Sequence, residues 1–184
     1  MQPSSPKSIA GITLIELIMA IAVVCILSLF VTQAIAAVLH KGRGSIAGIS
    51  LVDSIDRARS FALSRETDVV LCPSSDGMNC SIGDHWEAGW IGFSDIREDG
   101  ERRGSEPLLI AQGALGAKVH LLSSSGRTRL RFQPTGSNGG SNVTFTLCDG
   151  RGPRAAVSWI MSNKGNLRSA PASAAAANAA CYGT

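Results

Sequence analysis

The sequence predicts an α+β protein in which one long N-terminal α-helix, membrane-spanning in its first half, packs by its second half on an antiparallel β-sheet head. Three observations carry that expectation. Apolar residues concentrate in one run near the N-terminus, a helical spacing of apolar residues continues beyond it, and the rest of the 184-residue chain is a series of short apolar or alternating runs divided by turn formers. With 45% hydrophobic residues the chain can bury one ordinary core, and it has no room for two large domains.

Residues 17–39 contain only three strongly polar side chains, Ser28, Thr32 and Gln33. That length is roughly the 20 residues a helix needs to cross a bilayer. A secretory signal peptide would have a shorter apolar core followed by a small-residue cleavage site, which Ala34, Ala36 and Ala37 imitate. Against it stands Glu16, an acid at the very start of the apolar helix. A carboxylate in such a helix costs about 2.5–3.5 kcal/mol on insertion scales, so it is expected to have a cationic partner.

The segment Gly11-Ile12-Thr13-Leu14-Ile15-Glu16 resembles the processing site of type IV prepilins, departing from the commonest pattern only at Ile12, where Phe is usual. The resemblance implies that a prepilin peptidase cuts after Gly11, removes residues 1–11 with their single basic residue Lys7, and leaves a methylated amine on Ile12. Residues 12–39 then remain as a transmembrane and filament-core helix. In such proteins the position of Glu16 meets the N-terminal amine of a neighbouring subunit and sets the axial register. Lys41 and Arg43 follow the apolar run and do not fit a simple positive-inside rule. The orientation, single-pass in the inner membrane with the N-terminus cytoplasmic and the head periplasmic, is therefore implied by the resemblance alone.

Residues 40–66 read as an amphipathic continuation of the helix. Leu51, Val52, Ile55, Ala58 and Ala62 fall at helical spacing, with Asp53, Asp56, Arg57 and Arg59 on the other face. Gly42, Gly44 and Gly48 each weaken a helix by up to about 1 kcal/mol relative to Ala, which predicts a bend or local melting after the apolar run. The head, residues 67–168, is expected to hold strands near residues 69–72, 90–93, 108–111, 119–122, 130–132, 143–148 and 156–161. Residues 169–184 are nearly all Ala, Ser and Pro, and predict a loose tail outside the core.

A longer resemblance covers most of the chain. Ala58-Arg59-Ser60, Ala62-Leu63-Ser64-Arg65, Val70-Leu71-Cys72-Pro73, Trp86, Gly89-Trp90-Ile91-Gly92-Phe93-Ser94-Asp95, Phe132-Gln133-Pro134-Thr135-Gly136 and Thr144-Phe145-Thr146-Leu147-Cys148 resemble the GspH/FimT family of minor pilins and pseudopilins. The resemblance implies a minor subunit at or near the tip of a type IV pilus or type II secretion pseudopilus, supporting filament assembly or protein secretion. Its implied partners are other pilins or pseudopilins, the prepilin peptidase and an inner-membrane assembly platform. The two machines share leader and architecture, so both stay open.

Cys25 lies in the apolar run, leaving Cys72, Cys80, Cys148 and Cys181 as an even set suited to disulfides in an oxidising compartment. Three pairings are possible. Cys72 with Cys80 would close a short Gly-containing loop, and Cys148 with Cys181 would pin the Ala-rich tail. No close Cys-x-x-Cys or His pair suggests zinc, and no cofactor is expected. Asp95, Asp99, Gly100 and Glu106 match positions of an EF-hand loop, but Arg97 stands where a ligand oxygen belongs, so a solvated hairpin is expected there. His40, His85 and His120 are scattered and no nucleophile motif is present, which argues against an enzyme.

Charge is unevenly distributed along the chain. From residue 53 to 106 there are 12 acids and 6 basic residues, whereas from Lys118 onward 8 basic residues face the single acid Asp149. Arg127, Arg129 and Arg131 alternate along one expected strand, with Arg151, Arg154, Lys164 and Arg168 in later segments. Such a cluster suits DNA phosphates. Some members of the family take up DNA and carry Gly-Arg-x-Arg near the C-terminus, where this chain has Gly165-Asn166-Leu167-Arg168, lacking the first arginine. The competing reading is a solvated basic face, or one that meets the acidic half of a neighbouring subunit.

Overall fold

The computed structural model describes residues 13–139 and 142–183, with the backbone only for residues 29–34. Gly11 and Ile12 lie outside the described residues. The chain forms two compact units, the first ending at Val38 and the second starting at Leu39. Helix α1 (Leu14–Arg65) contributes to both.

In the first unit Thr13 starts the helix, its hydroxyl accepting the Glu16 N–H at 3.3 Å. Thr13-x-x-Glu16 is thus half of a capping box, and an acid in the first turn also complements the helix dipole. Leu14, Ile15, Leu17, Ile18 and the large apolar residues from Met19 to Leu27 are exposed among the described residues. Among the described residues no helix is long and apolar enough to cross a membrane. The side chains of residues 29–34, in the middle of the apolar run, are not among those described.

In the second unit α1 buries one stripe, Ala47, Leu51, Ile55, Ala58 and Ala62, each at most 2% exposed. The spacing of three or four residues keeps them on one face, and the small alanines let the backbone come close to the head. The expected local melting is not found: α1 is continuous through its glycines. Two of them serve close approach. A Cβ at Gly44 would stand 2.5 Å from Asp149 Oδ2, and one at Gly48 would stand 2.6 Å from the Trp159 ring. Packing offsets the low helix propensity that the sequence registered.

The stripe rests on two antiparallel sheets. The first, in the order β3-β2-β1-β5, comprises β1 (Val69–Pro73), β2 (Trp90–Ser94), β3 (Leu108–Gln112) and β5 (Leu130–Phe132). The second, in the order β4-β6-β7-β8, comprises β4 (His120–Ser123), β6 (Val143–Cys148), β7 (Val157–Met161) and β8 (Leu167–Pro171). β1 and β2 are buried at every position. Val69 and Leu71 join the main core with Trp86, Trp90, Phe132 and Phe145, while Val70, Cys72, Ile91 and Phe93 make a second cluster on the other face. Burial on both faces is why these strands read as unbroken apolar runs.

The tail is not loose. β8 pairs along its length with β7, and α2 (Ala174–Tyr182) follows it, with Ser173 accepting the Ala176 N–H at 3.3 Å as the N-cap. Alanine is the strongest helix former, and its small side chain lets Ala177 and Ala180 bury fully. Disulfides join Cys72 to Cys80 and Cys148 to Cys181, the second fixing α2 to β6. Cys25 is free and exposed.

The two kinds of helix glycine should separate by experiment. Gly42 has nothing within 4 Å of an added Cβ, so Gly42→Ala should stabilise the protein by up to about 1 kcal/mol. Gly48→Val must displace Trp159 and should destabilise it by about 1–3 kcal/mol. Thermal unfolding of both variants checks this, and equal effects would show that the glycines share one role.

Candidate functional site

The basic residues of the second half were expected to form one electropositive face, and the fold divides them. Arg131, at the centre of β5, sits between two acids, with Nη2 2.6 Å from Asp95 Oδ2 and Nη1 3.3 Å from Asp68 Oδ2. Arg129 pairs with Glu101. Arg151 grips Asp149, Nη2 to Oδ2 at 2.7 Å and Nε to Oδ1 at 2.9 Å. Asp68, Asp95 and Glu101 belong to the acidic segment, so the two charge blocks meet inside one subunit.

The loop between β2 and β3 shows why. Asp95 and Glu106 are only 1% and 3% exposed, so the expected solvated hairpin is corrected at its two ends. Glu106 accepts N–H groups of Ile96 at 3.1 Å and Arg103 at 2.8 Å, and Asp95 accepts the Gly100 N–H at 3.0 Å beside Arg131. Buried carboxylates need such partners, and backbone amides with one guanidinium supply them where the calcium pattern would have placed a metal. Among the described residues no group of His, Cys, Asp and Glu could hold a metal ion.

Carboxyl acidities follow the same contacts. Burial tends to raise the Asp149 pKa, but hydrogen bonds from the Arg151 side chain and backbone, together with its charge, hold it below 3.8. Asp68 moves the other way, burial raising it despite Arg131.

Three of the predicted cations are exposed and form no ion pair among the described residues: Arg154, Lys164 and Arg168. Lys164 lies in the turn between β7 and β8, and Arg168 follows on β8. Arg127 is also exposed but has its own partner interactions. The turn is anchored from below by Arg59, which donates from Nη1 to the Gly165 carbonyl at 3.4 Å. Gly165 (φ +78°) and Gly136 (φ +77°) both border that guanidinium, and Asn138 N–H reaches the Asn163 carbonyl at 3.3 Å. Arg59 therefore joins the Gln133-Pro134-Thr135-Gly136 turn to the β7–β8 turn. Sequence reasoning gave Arg59 no site role, although two glycine turns far apart in the chain were the available sign.

Residues 47–164 match the protein family described as Type II transport protein GspH. No curated protein sequence matches the chain. Among solved structures, the type IV minor pilin FimU of Pseudomonas aeruginosa is similar, with 17% identity, a TM-score of 0.50, and coverage of 77% of this chain and 99% of that one. The minor pseudopilin EpsH from the type 2 secretion system of Vibrio cholerae is similar at 14% identity and a TM-score of 0.50, over 70% of this chain and 97% of that one. Both likenesses concern the fold: a helix on antiparallel sheets.

If the paired arginines are structural, Arg131→Ala and Arg151→Ala should each destabilise the protein by about 1–3 kcal/mol, since each leaves a buried carboxylate short of its partner. Arg154→Ala and Arg168→Ala should leave the unfolding midpoint unchanged. Asp149 titrates lower in the folded state, so its contribution is fully present above the unfolded value of 3.8 and is lost as pH falls through the folded pKa. Unfolding midpoints measured from pH 7 downward should show the deficit of Arg151→Ala largest above 3.8 and shrinking as pH falls through the folded pKa of Asp149, where the parent loses the contribution that the variant already lacks.

Proposed function

The chain belongs to the GspH family of type II transport proteins, and from that premise we propose that it is made as a precursor, anchored in the inner membrane by residues 12–39, and assembled at or near the tip of a type IV pilus or secretion pseudopilus. One observation carries the reading. The helix that buries its later stripe in the head begins with a segment whose apolar side chains the chain leaves uncovered. Such a surface is stable only in lipid or against other helices. Residues 1–11 are the proposed leader, cut after Gly11 by a prepilin peptidase that leaves a methylated Ile12. The membrane assembly platform and other pilins are the proposed partners.

Within this reading Glu16 has two roles in succession. Its backbone N–H completes the Thr13 cap, and its carboxylate is left exposed and available to a neighbour's N-terminal amine. Mass spectrometry of the membrane-extracted protein should give a chain starting at methylated Ile12. Glu16→Ala should leave the head folded and reduce recovery of the subunit in sheared filaments. A mature N-terminus after Ala37, or normal recovery of the variant, would contradict the proposal.

A second reading, binding of DNA for uptake, is favoured by the exposed cations Arg154, Lys164 and Arg168 alone. Arg129, Arg131 and Arg151 are occupied by acids, which narrows the seven candidates of the sequence. Gel shifts at two salt concentrations test it: affinity independent of sequence, falling with salt, weakened by Arg168→Ala and strengthened by Asn166→Arg. No complex at low salt for either the natural protein or Asn166→Arg would remove this reading.

A further inference from the structure

The second sheet ends at β8, and the edge it presents is open. Two hydrogen bonds fix which of its backbone groups face outward: Ser162 N–H to the Asn166 carbonyl at 3.0 Å, and Ala172 N–H to the Ala156 carbonyl at 3.1 Å. The register of β7 on β8 is unbroken between them. Because bonded and non-bonded pairs alternate in an antiparallel ladder, Arg168 and Ala170 bond to β7, while Leu167 and Ser169 direct their N–H and C=O groups away from the sheet. At the opposite edge, β4 is covered by the preceding loop, with Trp86 N–H on the Leu121 carbonyl at 2.8 Å and Ser123 N–H on the Asp84 carbonyl at 2.9 Å. Among the described residues nothing pairs with the outer side of β8, its register on β7 has no bulge, and its one proline stands only at its last position.

The α1-facing side of the second sheet also carries an open groove at the neighbouring strand β7. Cross-strand partners share a face, so Ser169 and Leu167 lie on the same side as Trp159 and Met161, the side turned to α1. There Trp159 lines, with Gly48, Ile49, Val52, Asp53 and Asp56, an open groove of about 600 Å³. The helix residues stand one helical turn apart along a single stripe, and Ile49 is 68% exposed. A strand laid beside β8 would hang its inward side chains over this stripe.

We propose that β8 is a docking edge for an extended segment of another polypeptide, which adds to the second sheet through Leu167 and Ser169 and sets apolar side chains and one cation into the groove. Charge complementarity selects this occupant. Asp56 has no cationic partner among the described residues, and Asp53 has only a 3.7 Å contact with Arg57, so the floor favours a Lys or Arg between apolar residues. On the opposite face Arg168 favours an acid. A second copy fits poorly, because β8 against β8 centred on this residue would set two Arg168 side chains opposite each other. The edge is a property of the folded head, and its test does not require filament assembly.

The test uses the full chain in detergent and a fluorescein-labelled peptide, Val-Thr-Val-Glu-Lys-Thr-Val, whose alternation puts Lys on the groove side and Glu beside Arg168. Binding should slow hydrogen exchange at the Leu167 and Ser169 amides and leave Arg168 and Ala170, already bonded to β7, unchanged. Ser169→Pro removes an outward N–H without touching the β7 ladder and should weaken binding about tenfold. Ile49→Ser, a change at an exposed site, should weaken it as well, and a peptide N-methylated at alternate amides should not bind. Absence of peptide binding, affinity indifferent to both substitutions, or self-association of the chain that Ser169→Pro abolishes would each overturn the proposal.

Discussion

The approach of α1 to the two sheets is the constraint on which the rest of the head depends. Ala47, Ala58 and Ala62 with Leu51 and Ile55 let the helix settle on the aromatic core, and Gly44 and Gly48 remove the last Cβ atoms that would hold it away from Asp149 and Trp159. Residues of both sheets join the stripe in one continuous core, with Trp86 touching Trp90 of the first sheet and Phe145 of the second. Close packing of this kind is unforgiving of added volume, because interiors are already near crystal density. The glycines therefore give up helix propensity in return for position.

Charge pairing within the subunit is the second organising element. Arg131 draws Asp68, just before β1, and Asp95, just after β2, to the same point on β5, so the start of β1 and the end of β2 are held by one guanidinium. Planar, multiply donating arginine suits that role better than lysine. The same pairing removes much of the positive field that the linear sequence suggests. Lys164 and Arg168 remain exposed at and after the β7–β8 turn, while Arg154 lies before the opposite end of β7.

Most of the architecture was legible in the sequence because its strands are buried on at least one face and keep their apolar pattern. Seven strands stood where short apolar or alternating runs predicted them. β8 was not legible: Leu-Arg-Ser-Ala-Pro has no apolar alternation, and its pairing comes from the neighbouring β7 through a tight turn. α2 was hidden by composition, since an alanine run reads as low complexity until a cap at Ser173 and a bridge at Cys181 give it somewhere to fold. The site was less legible than the fold. Sequence order keeps the acids and bases apart, and only the sheet order β3-β2-β1-β5 brings Asp95 beside Arg131. The proposed processing site at Gly11 and Ile12 rests on residue types alone and owes nothing to the fold.

The bridge between Cys148 and Cys181 has a consequence for the last helix that goes beyond connectivity. At nine residues α2 is far shorter than the roughly 12–15 that an isolated helix needs, and it buries only Ala177 and Ala180. Its hold on β6 is thus a matter of effective concentration: the bridge keeps the helix in the neighbourhood of its seat, so weak contacts suffice to keep it docked. Closing a loop of 33 residues restrains the unfolded chain by about 3–4 kcal/mol in the entropic account. The outer face of the second sheet is therefore covered by a latch whose closure depends on the oxidising power of the surrounding compartment.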